Sequence, residues 1–229
     1  MVRIVKEHDE RYIEFLTIAQ ELFYRKGYDQ TSVQEIITAV GVAKGTFYHY
    51  FSSKAELLNA LVEHLYRQTV ATLEPLVADE SLGAPEKLMQ SFAHIGNWKT
   101  ANRDLMLDAM HMLYQEENLR LRTSMIAKSN AMIAPLLKQI VHQGIAEEAF
   151  NVAYPDEVAE IVLTMGFSCS DAIASLILAG TWNDEAIQGI ERKLAAYERS
   201  IERVLGAPAG TLSLIPPEIL KIWLPKRLI

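Results

Sequence analysis

Lys44, Thr46, Tyr48 and His49 fall within six consecutive positions, interleaved with Gly45 and Phe47. An ammonium, a hydroxyl, a phenol and an imidazole are groups that bind phosphate oxygens and base edges. They belong to a short helix starting near Ala43, on what should be its open side. A helix of that length does not stand alone, so another element must brace it. The segment before it, TSVQEIITAVGV, supplies the brace. Thr31 or Ser32 can cap a helix there, with Gln34 and Glu35 each three residues beyond one of them, the capping-box spacing. Val33, Ile36, Ile37 and Val40 then form an apolar stripe, and Gly41 stands where a helix ends with positive φ. Helix, glycine turn and second short helix make a helix-turn-helix, whose second helix enters the major groove of DNA.

Other helices must hold this motif. A first helix is expected from about His8 to Lys26, with Tyr12, Phe15, Leu16, Ala19, Leu22 and Phe23 on one apolar face. Asp9 and Glu10 suit its first turn, and Arg25 and Lys26 its last. Ser53 and Glu56 form another capping box, opening a helix to about Leu73. Further helices are expected from Pro85 to Lys99, Arg103 to Tyr114, Glu117 to His142 with Pro135 inside, and Pro155 to Leu178. A last long helix is capped by Asn183 and stops before Gly206. A short apolar helix should follow Pro216 and Pro217 in the tail 207–229, with Ile219, Leu220, Trp223 and Leu224. No strand-period alternation and no repeat appears. The fold class is therefore all-α: an N-terminal three-helix head followed by a larger helical domain.

The head resembles the tetracycline-repressor (TetR) family of transcriptional regulators. Ala19, Leu22, Phe23, Gly27, Tyr28, Thr31, Ile36, Ala39, Gly41 and Val42 carry the resemblance. So do Lys44, Gly45, Thr46, Phe47, Tyr48, Tyr50, Phe51, Lys54 and Leu57. It covers about residues 10–58. The resemblance implies a DNA-binding domain over 1–53 and an effector-binding and dimerisation domain over 54–229. It places Lys44–Tyr50 on the recognition helix. Gly45 allows close approach of the backbone; Lys44, Thr46, Tyr48 and His49 reach phosphates or bases. Ser32 and Lys54, each near a helix start, are expected to clamp phosphates. Tyr50 either touches phosphate or packs on the first helix, while Phe47 and Phe51 are expected in the core. Arg3 and Lys6 could add contacts from an arm.

Charge and composition narrow the remaining classes. The net charge of −7 argues against non-specific nucleic-acid binding. Residues 1–55 hold seven basic and seven acidic groups, so the negative excess lies beyond them. A neutral head on an acidic body approaches DNA head first. No apolar run reads as a membrane span, and no signal peptide is seen, so a cytoplasmic location is expected. The one cysteine, Cys169, leaves no disulfide framework. No phosphate loop, nucleophile elbow or zinc spacing occurs, so no catalytic residue, metal or cofactor is expected.

In the body, the resemblance implies a homodimer through the last two long helices, and hence a palindromic double-stranded operator. Gly166, Ser170 and Ala174 recur every fourth residue and permit close helix approach; Ile161, Met165 and Ile177 flank them. The alternative is a helix buried within one chain. Met89, Phe92, His94, Trp98, Met106, Met110, His111, Tyr114 and Met125 could line a pocket for a small-molecule effector of unknown identity, or could be plain core. The leading expectation is a repressor released from DNA by that effector. The rival is a DNA-binding regulator or architectural factor without a small effector, controlled by a protein partner. A solidly packed body would favour the rival.

Overall fold

The computed structural model describes residues 2–180, 183–214 and 223, with side chains from His8 onward. All regular elements among them are helical: α1 Val2–Lys26, α2 Val33–Val40, α3 Lys44–Tyr50, α4 Lys54–Ala71, α5 Glu74–Ala78, α6 Ala84–Ala101, α7 Arg103–Leu113, α8 Leu119–Ala146, α9 Pro155–Ala179 and α10 Asp184–Leu205. A 3-10 turn, Glu116–Asn118, precedes α8. The tail helix expected after Pro216 and Pro217, with Ile219, Leu220 and Leu224, lies outside the described residues, as do the side chains of Arg3 and Lys6.

The chain divides into two packing units. The first is Met1–Tyr66 with Asn102–Met125; the second is Arg67–Ala101 with Ile126–Ile229. The first thus contains the expected 1–53 head and extends beyond it, with part of α4, all of α7 and the first turns of α8.

In the first unit α1 begins at Val2, not near His8. Nothing between Val2 and Glu7 is a glycine or proline, so no residue there stops the helix, and Asp9 and Glu10 sit beyond its first turn. The apolar face of α1 buries Phe15, Leu16 and Ala19 against α2 and α3, where Ile36, Phe47 and Phe51 are also buried. Phe15, Phe47 and Phe51 stand within 5.8 Å of one another by ring centroid, two of the three pairs edge to face. Each fully buried ring contributes roughly 2–3 kcal/mol. Phe47 and Phe51 are core, as their position in the motif suggests.

In the second unit the core gathers Leu88, Leu137, Ile140, Val141, Phe150, Val162, Ile201 and Leu205. Gly144 makes this packing possible: a Cβ there would lie 2.0 Å from the Phe150 ring. Buried Glu202 accepts from the backbone N–H groups of Gly210 and Leu212, at 2.7 and 3.1 Å, and so ties the segment after α10 to the helix.

Helix α9 corrects one sequence expectation. No apolar run is expected to read as a membrane span, but α9 is long and apolar enough to do so, and only 11% of its most apolar stretch is buried. Between Ile161 and Ala179 the single charge is Asp171. Two of its small residues, Gly166 and Ala174, are used within the chain. A Cβ at Gly166 would meet the Tyr197 hydroxyl of α10 at 2.8 Å, and Ala174 is buried. Met165 is half-buried against the core, Ile177 is half-buried, and Ile161 and Ser170 are exposed.

Candidate nucleic-acid interface

The α2–α3 turn is built as a rigid corner. Ser32 caps α2: its hydroxyl accepts from Glu35 N, and the Glu35 carboxylate accepts from Ser32 N at 2.8 Å. Of the two possible caps, Ser32 is therefore the one used. Thr31 is instead buried and donates its hydroxyl to Gly27 O at 2.8 Å. Gly41 ends α2 at φ +75°, a left-handed conformation that side chains resist. Glu35 also pairs with Lys26 of α1. That lysine, with the Ser32 hydrogen bonds, holds the Glu35 carboxyl down to about 2.

Helix α3 then turns Phe47 inward and a polar strip outward. Lys44, Gly45 and His49 are exposed, Tyr48 is half-exposed and Thr46 partly so. The Lys44 ammonium stands 5.9 Å from the Tyr48 ring centroid. A Cβ on Gly45 would meet nothing within 4 Å, so no internal contact demands glycine there. Tyr50 belongs to the scaffold: its ring lies 4.6 Å from His8, 5.6 Å from Phe15 and 6.5 Å from Tyr12, all on α1. His49 is held at 5.4 Å from Tyr50 and 5.9 Å from His8.

Two expected phosphate ligands are engaged inside the head. The Lys54 ammonium donates to Tyr28 O and Thr31 O at 2.8 and 2.9 Å, 4.0 Å from the Tyr28 ring centroid. Burial pulls its pKa down, while Asp29 and Asp108 oppose that shift. Asp108 also accepts from Tyr28 N at 3.0 Å. Lys54 thus locks the α1–α2 loop to the start of α4. A positively charged residue beside a helix start reads as an anion site in sequence; here the nearest acceptors are the chain's own carbonyls. The Ser32 hydroxyl is likewise committed to Glu35. At α4 the expected capping box is spread over two serines. Ser53 Oγ accepts from Glu56 N, while the Glu56 carboxylate binds Ser52 N and Oγ.

The nine residues expected to line an effector pocket are divided between the units. Met89, Phe92, His94 and Trp98 are in the second, and Met106, Met110, His111, Tyr114 and Met125 in the first. Met89 and Phe92 pack on the second core, and His94 meets the Thr72 hydroxyl at 2.6 Å. Met106 is buried; Met110 and Met125 are half-buried; His111 is exposed. The Tyr114 ring carries Arg122 at 4.4 Å. None of the nine lines the cleft of about 290 Å³ between α8 and α9, which is formed by Asn130, Ala131, Ala134, Glu160, Leu163 and Thr164. Sequence reasoning missed this cleft, because small and polar residues on two helices give no periodic signal.

Residues 15–61 match the model of bacterial regulatory proteins of the tetR family. The chain is 40% identical over 65 residues to the uncharacterized HTH-type transcriptional regulator YvdT of Bacillus subtilis, spanning 28% of this chain and 34% of that protein. It is 28% identical over 170 residues to the HTH-type transcriptional repressor KstR2 of Mycobacterium tuberculosis, 71% of this chain and 78% of that one. In fold it resembles the crystal structure of RolR in complex with resorcinol, with a TM-score of 0.61, 16% identity and coverage of 96% of this chain and 95% of that one.

Proposed function

We propose that this chain, a member of the tetR family of bacterial regulatory proteins, is a repressor that binds a palindromic operator as a homodimer and is released by a small-molecule effector. The observation that carries the DNA-binding part is the open strip of α3. Lys44, Thr46, Tyr48 and His49 project from a seven-residue helix whose other side is locked by Phe47 and Tyr50. Each partner the strip lacks in the free protein is one that a phosphate or base edge supplies. Ser32 and Lys54 act behind the surface, fixing the angle of α2 and the α1–α2 loop. The domains at work are 1–53 for DNA and 54–229 for effector and dimer.

Three features support the finer reading. The apolar surface of α9 left open in one chain, with Ile161 47% exposed, suits a second copy. Only two basic residues, Lys44 and Lys54, lie in the motif, and Lys54 is engaged internally. One head then binds weakly, and two heads on a two-fold site raise the affinity. KstR2 carries the name of a transcriptional repressor, and the fold this chain shares with RolR is one seen in complex with resorcinol.

The test is fluorescence anisotropy against DNA from upstream of the gene, with scrambled DNA as control. Wild type should bind with two protomers per site. Lys44→Ala and Tyr48→Ala should each weaken binding by about 1–3 kcal/mol while leaving dimer and helical content unchanged. Equal binding to both DNAs, or loss of the dimer in these variants, rejects the assignment.

A further inference from the structure

Two histidines from different helices meet at the edge of the head. His8 comes from α1 and His49 from the last turn of α3. Their ring centroids are 5.9 Å apart, edge to face, and Tyr50 completes the group at 4.6 Å from His8 and 5.4 Å from His49. Tyr50 in turn leans on buried Phe15, 5.6 Å away, so the trio is braced from below. Its outer side is open: His49 is exposed, and the His8 side chain is 50% exposed.

The charged groups around the pair are few. On α1 the Asp9 carboxylate stands 3.7 Å from His8 Nδ1, and Glu10, Arg11 and Tyr12 follow, with Arg11 paired to Glu14. On α3 the titratable neighbours of His49 are Tyr48 and Tyr50, with Lys44 at the other end of the helix. Helix α2, which packs on both, carries Glu35 as its one charge, and that is paired with Lys26. Beyond Lys44, α3 holds no lysine or arginine, and Lys54 is spent on backbone carbonyls. Positive charge for a phosphate at this end of α3 can then come from imidazole, the side chain whose ordinary charge change falls between pH 5 and 8.

The setting favours such a charge once a phosphate is present. A cation in the last turn of a helix is stabilised by the carbonyls there, and Asp9 favours a positive His8. Against this, two imidazolium rings at this spacing repel each other, which holds back the second proton in the free protein. A phosphate oxygen seated against both rings offsets that repulsion. Recognition helices read bases with their N-terminal residues. His49 is the sixth of seven residues in α3 and His8 lies on another helix, so the pair is placed for backbone rather than base.

We infer that His8 and His49 form a phosphate contact that takes up protons as the head docks on DNA, so that DNA binding strengthens as pH falls. This rests on the reading of α3 as the DNA-binding helix, and adds a residue of α1 to the contact. The complex holds more protons than the free protein, and by linkage a lower pH drives its formation.

The test is fluorescence anisotropy with the full-length protein at pH 6, 7 and 8 and at two salt concentrations, on the upstream duplex and on its scrambled control. Kd should fall about ten-fold between pH 8 and pH 6, the effect of about one pKa unit. The salt slope should steepen by about one per head at the lower pH. Phosphate contacts carry no sequence information, so both duplexes should show the change. His8→Gln and His49→Gln should each reduce the pH effect and the double variant should remove it, with affinity changed more at pH 6 than at pH 8. His142→Gln, in the second unit, should keep it. Circular dichroism at each pH confirms that the variants are folded. Binding that is flat in pH, a pH effect untouched by His8→Gln, or one lost in His142→Gln overturns the inference. Equal binding to both duplexes with the pH effect intact rejects the specific reader and keeps the phosphate contact. Preference for the upstream duplex without any pH effect does the reverse.

Discussion

The two packing units treat their polar groups in opposite ways. In the first, Lys54, Ser32, Thr31, Glu35, Asp108 and Glu56 are bonded to one another or to backbone, with Asn59 Oδ1 as the exception. What is left open is the outer strip of α3. In the second, Ser91 Oγ, Thr100 Oγ1 and Asn130 Oδ1 are buried without partners among the described residues. The first unit leaves one buried side-chain oxygen unpaired and presents a braced surface. The second leaves three such oxygens unpaired, which suits the effector-binding role proposed for it. A reader of DNA gains from preorganisation, since loops ordered only on binding lose affinity. A sensor gains from unmet bonds, since only differential interactions shift an equilibrium.

The largest expected effect tests the closed side of that contrast. Lys54→Met keeps the stem but strands two carbonyls, and should destabilise the protein by about 2 kcal/mol in urea unfolding. The salt dependence of DNA binding should hardly change, because Lys54 is not a phosphate ligand in this arrangement; a slope reduced by about one would restore it to that role. Thr100→Val probes the open side. It removes a hydroxyl that has no partner and keeps the shape, so stability should stay the same or rise by up to about 1 kcal/mol. A loss of similar size to that of Lys54→Met would mean that Thr100 is satisfied in solution and that the contrast fails.

The smallest effect belongs to Glu35, whose pair with Lys26 is at the surface. Its folded pKa, about 2, lies below the ordinary 4.5. A depressed carboxyl adds stability above the unfolded pKa and loses it as pH falls toward the folded one. The head should therefore weaken between about pH 4.5 and 2, and Glu35→Gln should flatten that part of the acid titration. An unchanged titration in the variant would leave the pair without weight in the corner.

Much of this was legible beforehand, and the particular residues show why. Val33, Ile36, Ile37, Val40 and Gly41 determine α2 and its end through periodicity and positive φ, both local properties. The helix starts at Pro155 and Asn183, the stop at Gly206 and the inward turn of Phe47 and Phe51 follow from the same short-range rules. The all-α class and the position of the short helix α3 after the Gly41 turn were thus written in the chain. Tertiary structure decided which polar group found which partner. Lys54 reads as a phosphate clamp until Tyr28 O and Thr31 O are seen beside it. Gly166 reads as one of a row of small residues until the Tyr197 hydroxyl is seen against it. Lys87 reads as one more charged helix position until Val77 O and Gln143 are seen beside it. The physical reason is range: helical periodicity and capping act within about four residues, whereas hydrogen-bond satisfaction and desolvation depend on whatever the fold brings alongside.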